Sequence, residues 1–221
     1  MECRSVFVTG ATGYVGRRLV PTLALRGHDV RALVRETSRA CLPAGCGAVV
    51  GDVLDCDSFA GEVRAGDTVV HLVGVPRPSP AKAAEFQRVD LASVRATVTA
   101  ARAAGAAHFV YVSVAQPAPV MRAYVAARAA GEQALADSGL PATVLRPWYV
   151  LGPGHRWPYA LLPAYWLFER MPGPRGETAR RLGLVTLRQF IHAIVGAVED
   201  GPAVETRVLD VPAIRRASLP S

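Results

Sequence analysis

Three glycines fall three residues apart in "VFVTGATGYVGRRLV", Val6 to Val20. Gly10, Gly13 and Gly16 stand between a run of β-formers and an amphipathic stretch. A strand, a Gly-x-x-Gly-x-x-Gly turn and a helix, in that order, bring backbone N–H groups and a helix N-terminus against a phosphate. Glycine is needed where a Cβ would block the close approach or where the backbone angles exclude other residues. Alone, such a motif is weak; its place after the first strand and before a helix gives it weight. Other reactive residue types are poorer candidates. Cys3, Cys41, Cys46 and Cys56 show no CxxC spacing and the nearby histidines complete no zinc pattern, so reduced structural thiols and no metal site are expected. His155 reads as a loop histidine, and His192, inside an apolar helical pattern, as a packing residue.

The elements that must position the glycine turn follow from the alternation of apolar runs with helical periods. Strands are expected at Ser5–Thr9, Asp29–Val34, Ala48–Val50, Thr68–Leu72, Phe109–Ser113, Thr143–Arg146 and Thr206–Val211. Helices fit Gly13–Arg26, Ala81–Ala104, Arg122–Ser138, Tyr159–Arg170 and Leu187–Asp200. The fold class is therefore α/β: a doubly wound parallel sheet of order 3-2-1-4-5-6 with room for a seventh strand, ligand at the strands' C-terminal ends. "VPRPSP", Val75 to Pro80, has three prolines and reads as a loop beside that ligand face. Beyond Arg146 the texture turns rich in proline and aromatics, "RPWYVLGPGHRWPYALLPAYW". We expect one domain over residues 1–221, with 147–203 contributing a small substrate-side lobe.

Composition narrows the function. Of 221 residues 51% are hydrophobic and 19% charged, a globular balance without the run of about 20 apolar residues that a membrane span needs. The chain enters its first strand at once, with no basic segment, apolar run and cleavage site of a secretory signal, so a cytoplasmic location is expected. Net charge is +7, yet Lys82 is the sole lysine among 25 basic residues and the arginines are scattered. No basic cluster or stacking platform favours nucleic acid. A small anionic ligand could use a few of these arginines, and the sequence leaves monomer and homodimer open.

With these motifs the chain resembles the short-chain dehydrogenase/reductase superfamily, in its extended and atypical NmrA-like branches, and also the accessory subunit of respiratory complex I. "TGATGYVG", "GHDVRALVR", "GDVLD", "VVHLVG", "FVYVSV", "YVAARAAGEQAL", "SGLPATVLRP" and "VLGPG" occur in the family's order. The resemblance implies a bound nicotinamide dinucleotide on Gly10, Thr12, Gly13, Tyr14, Val15, Gly16 and Arg17, on Arg35, Asp52 and Val53, on Leu72, Val73 and Gly74, and on Pro147, Tyr149 and Val150. Members selective for NAD carry a carboxylate at the end of the second strand, facing the ribose 2′-OH. Here that place holds Val34 followed by Arg35, with Arg17 and Arg18 after the third glycine, which favours NADP, NADPH in its reduced form, over NAD; Glu36 is the competing group. Gly74 matches the small residue that lets the fourth strand's end lie against the cofactor.

The resemblance also implies a reaction. Catalytic members use a tyrosine as proton donor, a lysine four residues on that binds ribose and lowers the tyrosine's pKa, and a serine that orients the substrate oxygen. Ser113 and Tyr124 stand in register, but the fourth residue after Tyr124 is Arg128. Arg128 is either the electrostatic partner of Tyr124, in which case Arg128→Lys keeps or raises activity, or an outward charge paired with Glu132. The favoured reading is an NADPH-dependent reductase of a small carbonyl, quinone or flavin-like acceptor. The alternative is a non-catalytic dinucleotide-binding sensor or assembly protein.

Overall fold

A computed structural model describes residues 2–153 and 168–217. Its strands are β1 (Ser5–Thr9), β2 (Asp29–Val34), β3 (Gly47–Val50), β4 (Thr68–His71), β5 (His108–Val112), β6 (Ala142–Leu145), β7 (Tyr149–Leu151), β8 (Leu184–Thr186) and β9 (Arg207–Leu209). The helices are α1 (Gly16–Leu25), α2 (Ala83–Glu85), α3 (Ala92–Ala104), α4 (Arg122–Ser138), α5 (Pro174–Arg181), α6 (Leu187–Asp200) and α7 (Val211–Arg216). Seven strands form a parallel sheet in the order β3-β2-β1-β4-β5-β6-β9, so the doubly wound architecture is present and its seventh strand is β9.

Alternation along each strand sends side chains to two cores, and both faces are covered, which is why the strands read as near-continuous apolar runs. Val6 and Val8 of β1 pack with Leu19 and Leu23 of α1 and with Phe190 and Ile194 of α6. Phe7, between them, faces the opposite layer with Phe59, Val94, Phe109 and Tyr111. The α6 helix begins with a reciprocal cap: Gln189 N donates to Thr186 Oγ1 at 3.2 Å, and Thr186 N donates to Gln189 Oε1 at 2.9 Å. At the strands' N-terminal ends Arg31 reaches both oxygens of Asp67, at 2.7 and 2.6 Å.

The structure departs from the sequence expectations in four places. The helix expected over Ala81–Ala104 is broken into α2, a π-helical turn Phe86–Leu91 and α3. The lobe side carries a second, two-stranded sheet of β7 and β8, paired in parallel. Helices α5 and α7 were not expected, and the seventh strand is shorter than Thr206–Val211. His155 and all but the last three residues of the helix expected over Tyr159–Arg170 lie outside the described residues.

Candidate functional site

The glycine turn springs from the C-terminal end of β1. Gly10 adopts φ +79°, where an L side chain is strained, and a Cβ there would stand 3.0 Å from the Leu72 carbonyl carbon. Gly13 N donates to Gly10 O at 3.0 Å and closes the turn. Gly16 is the tightest position, since its Cβ would come within 2.4 Å of Gly10 O and 2.6 Å of Ala11. Leu72 N donates to Thr9 O at 3.1 Å, which fixes the turn to the end of β4. Beneath it the fully buried His71 holds Nδ1 2.9 Å from Thr9 Oγ1 and Nε2 3.3 Å from Ser93 Oγ. Burial, helped by the charge of Arg128, pushes its imidazole down to about 3, so it is neutral at ordinary pH.

Gly13 is exposed at the mouth of the turn and Thr12 and Val15 are half-buried. Tyr14 packs toward β7: a Cβ on Gly152 would meet its hydroxyl oxygen at 2.2 Å, which brings the residue after β7 against the glycine turn. Arg18 crosses the Tyr14 ring, its guanidinium carbon 5.3 Å from the centroid. Arg17 and Arg35 are exposed, and no salt bridge engages either among the described residues. Glu36 is instead 3.8 Å from Arg39. Exposed Asp52 accepts from Leu54 N at 3.0 Å, and half-buried Val53 packs on the core below. Leu72, Val73 and Gly74 continue β4 as half-buried backbone, while buried Pro147 accepts from Ala115 N at 2.9 Å and Tyr149 and Val150 are half-buried in β7. A narrow, glycine-lined turn that opens on solvent at Gly13 and meets the first turn of α1 fits the pyrophosphate of a dinucleotide.

The candidate catalytic residues are distributed differently from the resemblance. Ser113 is buried and donates its hydroxyl to Glu132 Oε1, a carboxylate that also accepts from Gln116 at 2.7 Å and pairs with Arg146. Tyr124 is half-buried in the first turn of α4, its ring 5.1 Å from that of Phe86. Arg128 is not the outward charge on Glu132 that the i,i+4 spacing allowed: it is buried, and Glu132 belongs to Arg146. The Arg128 Nη2 lies 2.7 Å from Asp90 Oδ1, Nη1 donates to Val112 O at 2.9 Å, and the guanidinium carbon sits 5.4 Å from the Tyr124 ring and 5.9 Å from the Tyr111 ring. A Cβ on Gly74 would lie 2.0 Å from that Nη2, so the glycine makes room for an arginine as well as for a strand end.

Sequence reasoning missed Asp90. It is wholly buried in the π-helical turn, its second oxygen accepting from Val75 N at 3.1 Å. Burial pushes its carboxyl up, against the pull of Arg128 and the Val75 amide. A carboxylate inside the apolar stripe "FQRVDLASV" was the available signal, since a buried acid demands a partner. His192 is half-buried on α6, and its pKa is lowered, first by burial and then by the charges of Arg188 and Arg26.

The comparisons agree with this geometry. The model of a family described as NAD(P)H-binding matches residues 10–164. A 3-diazoavenalumate denitrifying reductase of Streptomyces is 37% identical over 67% of this chain and 57% of its own length. A ceramide reductase of Caulobacter vibrioides is 32% identical over 67% of this chain and 47% of its own length. The chain thus spans about half the length of the curated relatives it matches. Among solved structures, the enzyme WbmH of Bordetella bronchiseptica in complex with NAD+ superposes with a TM-score of 0.67 at 21% identity, over 90% of this chain and 73% of that one. A UDP-galactose 4-epimerase gives 0.69 at 21% identity, over 93% and 76%. Among the described residues no helix is long and apolar enough to cross a membrane. With a Rossmann-type sheet, a glycine turn at its head and this family match, the chain belongs to the NAD(P)H-binding family, as an atypical member of the short-chain dehydrogenase/reductase superfamily.

Proposed function

We propose that this protein is an NADPH-dependent reductase of a small carbonyl, quinone or flavin-like acceptor. The cofactor choice is supported by the exposure of Arg35, directly after β2, and of Arg17, in the first turn of α1, both free of salt bridges among the described residues while Glu36 stands 3.8 Å from Arg39. An arginine fork matches a 2′-phosphate dianion. When bound, the nicotinamide supplies the hydride. The protein's part is to hold the pyrophosphate on the Gly10–Gly16 turn, to flank the reacting end with Gly74 and the Pro147–Val150 strip, and to present Tyr124 as proton donor. Strands β7 and β8 and helix α5 belong to the substrate-side lobe in this reading. We place the activity in the cytoplasm, where Cys3, Cys41, Cys46 and Cys56, all free, stay reduced.

A second reading, a dinucleotide sensor without turnover, is favoured by one feature. Ser113 spends its proton on Glu132 and Arg128 is neutralised by Asp90, so neither is directed to a substrate. Calorimetry and an acceptor panel separate the two. NADPH is expected to bind at least about tenfold tighter than NADH, with Arg35→Ala erasing most of the difference, because a charge-assisted hydrogen bond contributes about 1.5–3 kcal/mol. Oxidation of NADPH by a quinone, flavin or carbonyl identifies the enzyme, and with a carbonyl Tyr124→Phe should lower turnover by roughly 10² to 10⁴ at unchanged NADPH affinity. Tight NADPH binding with no acceptor establishes the sensor, and equal affinities for the two nucleotides reject the 2′-phosphate corner.

A further inference from the structure

The buried pair of Arg128 and Asp90 has a geometry that an ordinary structural ion pair does not require. The guanidinium lies under the Tyr124 ring, in the space a Cβ on Gly74 would fill, and its counter-charge comes from a different element, the π-helical turn. Such turns are rare and cluster at functional places, because the widened backbone aims a side chain that an α-helix would turn elsewhere. We propose that Asp90 is the positioning residue of this site: its carboxylate holds the Arg128 guanidinium beneath Tyr124 and cancels the field of that charge on the ring above it.

This rests on the reading of Tyr124 as proton donor only for its consequence in turnover; the electrostatic relation stands by itself. Arg128 and Asp90 are both at most 4% exposed, so water screens their fields on Tyr124 weakly. An unpaired cation at this distance favours the tyrosinate, whereas a cation and an anion 2.7 Å apart act together as a dipole of no net charge. Among the described residues, the other groups coupled to Arg128 are Tyr111 from β5 and His71 from β4. Burial pushes Tyr111 up to about 12 and His71 down to about 3, so both are neutral between them. Arg122, the first residue of α4, lines the outer groove instead. Lys82 donates to Pro76 O at 2.7 Å.

The test is spectroscopic and needs no acceptor. Tyrosinate absorbance is titrated in the cofactor-free protein, and subtraction of the matched Tyr124→Phe protein isolates Tyr124. Asp90→Asn keeps the size of the side chain and removes the anion, so the Tyr124 midpoint should fall by about one pH unit or more. Asp90→Asn/Arg128→Gln removes both charges and should return the midpoint to the wild-type value. That double variant also keeps the test decisive if the single variant, with its unpaired buried cation, fails to fold. A single variant that titrates like wild type, or a double variant whose midpoint lies a full unit from it, overturns the proposal. A panel without turnover would count against the reductase reading alone, because the midpoints are read without turnover.

Discussion

Arg128 makes contacts that a lysine cannot reproduce. One planar group reaches Asp90 on the π-helical turn and Val112 O at the end of β5 while lying over two tyrosine rings. An ammonium offers donors on a single atom and no flat face. The resemblance alone made Arg128→Lys the restoring substitution; the geometry reverses that expectation. Arg128→Lys should destabilise the fold by about 1.5–3 kcal/mol in urea unfolding, the worth of hydrogen bonds to a charged group, and should not raise activity. Arg128→Ala, which strands the Asp90 carboxylate, should cost about 3–5 kcal/mol. A lysine variant as stable as wild type would show that the guanidinium fork is dispensable. The residue types of this site were legible in the sequence and their partners were not: Asp90, which holds Arg128, and Arg146, which pairs with the Glu132 that takes the Ser113 hydroxyl, reach them only through the fold.

At the scale of elements, the strands were legible because burial on both faces leaves unbroken apolar runs, and the glycine turn because backbone geometry forbids anything larger. Gly16 gives the sharpest check. Its Cβ would sit 2.4 Å from Gly10 O and 2.6 Å from the Ala11 backbone, with no flexible side chain able to yield. Gly16→Ala should therefore displace the start of α1 from the turn, abolishing measurable NADPH binding in calorimetry while the helical circular dichroism survives. A variant that binds NADPH with wild-type affinity would show that the turn holds no phosphate. Other elements left no trace in the pattern. The π-helical turn Phe86–Leu91 differs from a regular helix by hydrogen-bond register alone, β7 and α5 are short pieces beside prolines, and β8 has only three residues, so no period can establish itself.

At the scale of the whole molecule, two histidines buried on neighbouring strands contribute to acid sensitivity. His71 at the head of β4 and His108 at the foot of β5 are both wholly inaccessible. Burial and then Arg128 push His71 down to about 3; burial and then Arg207 and Arg4 push His108 down to about 4. An unfolded chain protonates both near 6.5. The folded state thus refuses protons that the unfolded state accepts, so the stability these residues permit is complete above about pH 6.5 and is lost as the pH falls toward 4 for His108 and 3 for His71. Each histidine contributes a slope of about 1.4 kcal/mol per pH unit within its window. His108 is the cleaner one to replace, because its only side-chain partner among the described residues is Thr143 Oγ1 at 3.0 Å, whereas His71 supports the glycine turn. His108→Gln can still hydrogen-bond Thr143 and cannot ionise. In urea unfolding between pH 6.5 and 4.5 its stability should therefore fall less steeply than wild type by about 1.4 kcal/mol per pH unit. Parallel losses in the two proteins would mean that His108 accepts its proton in the folded state, and that acid acts on this fold through other groups.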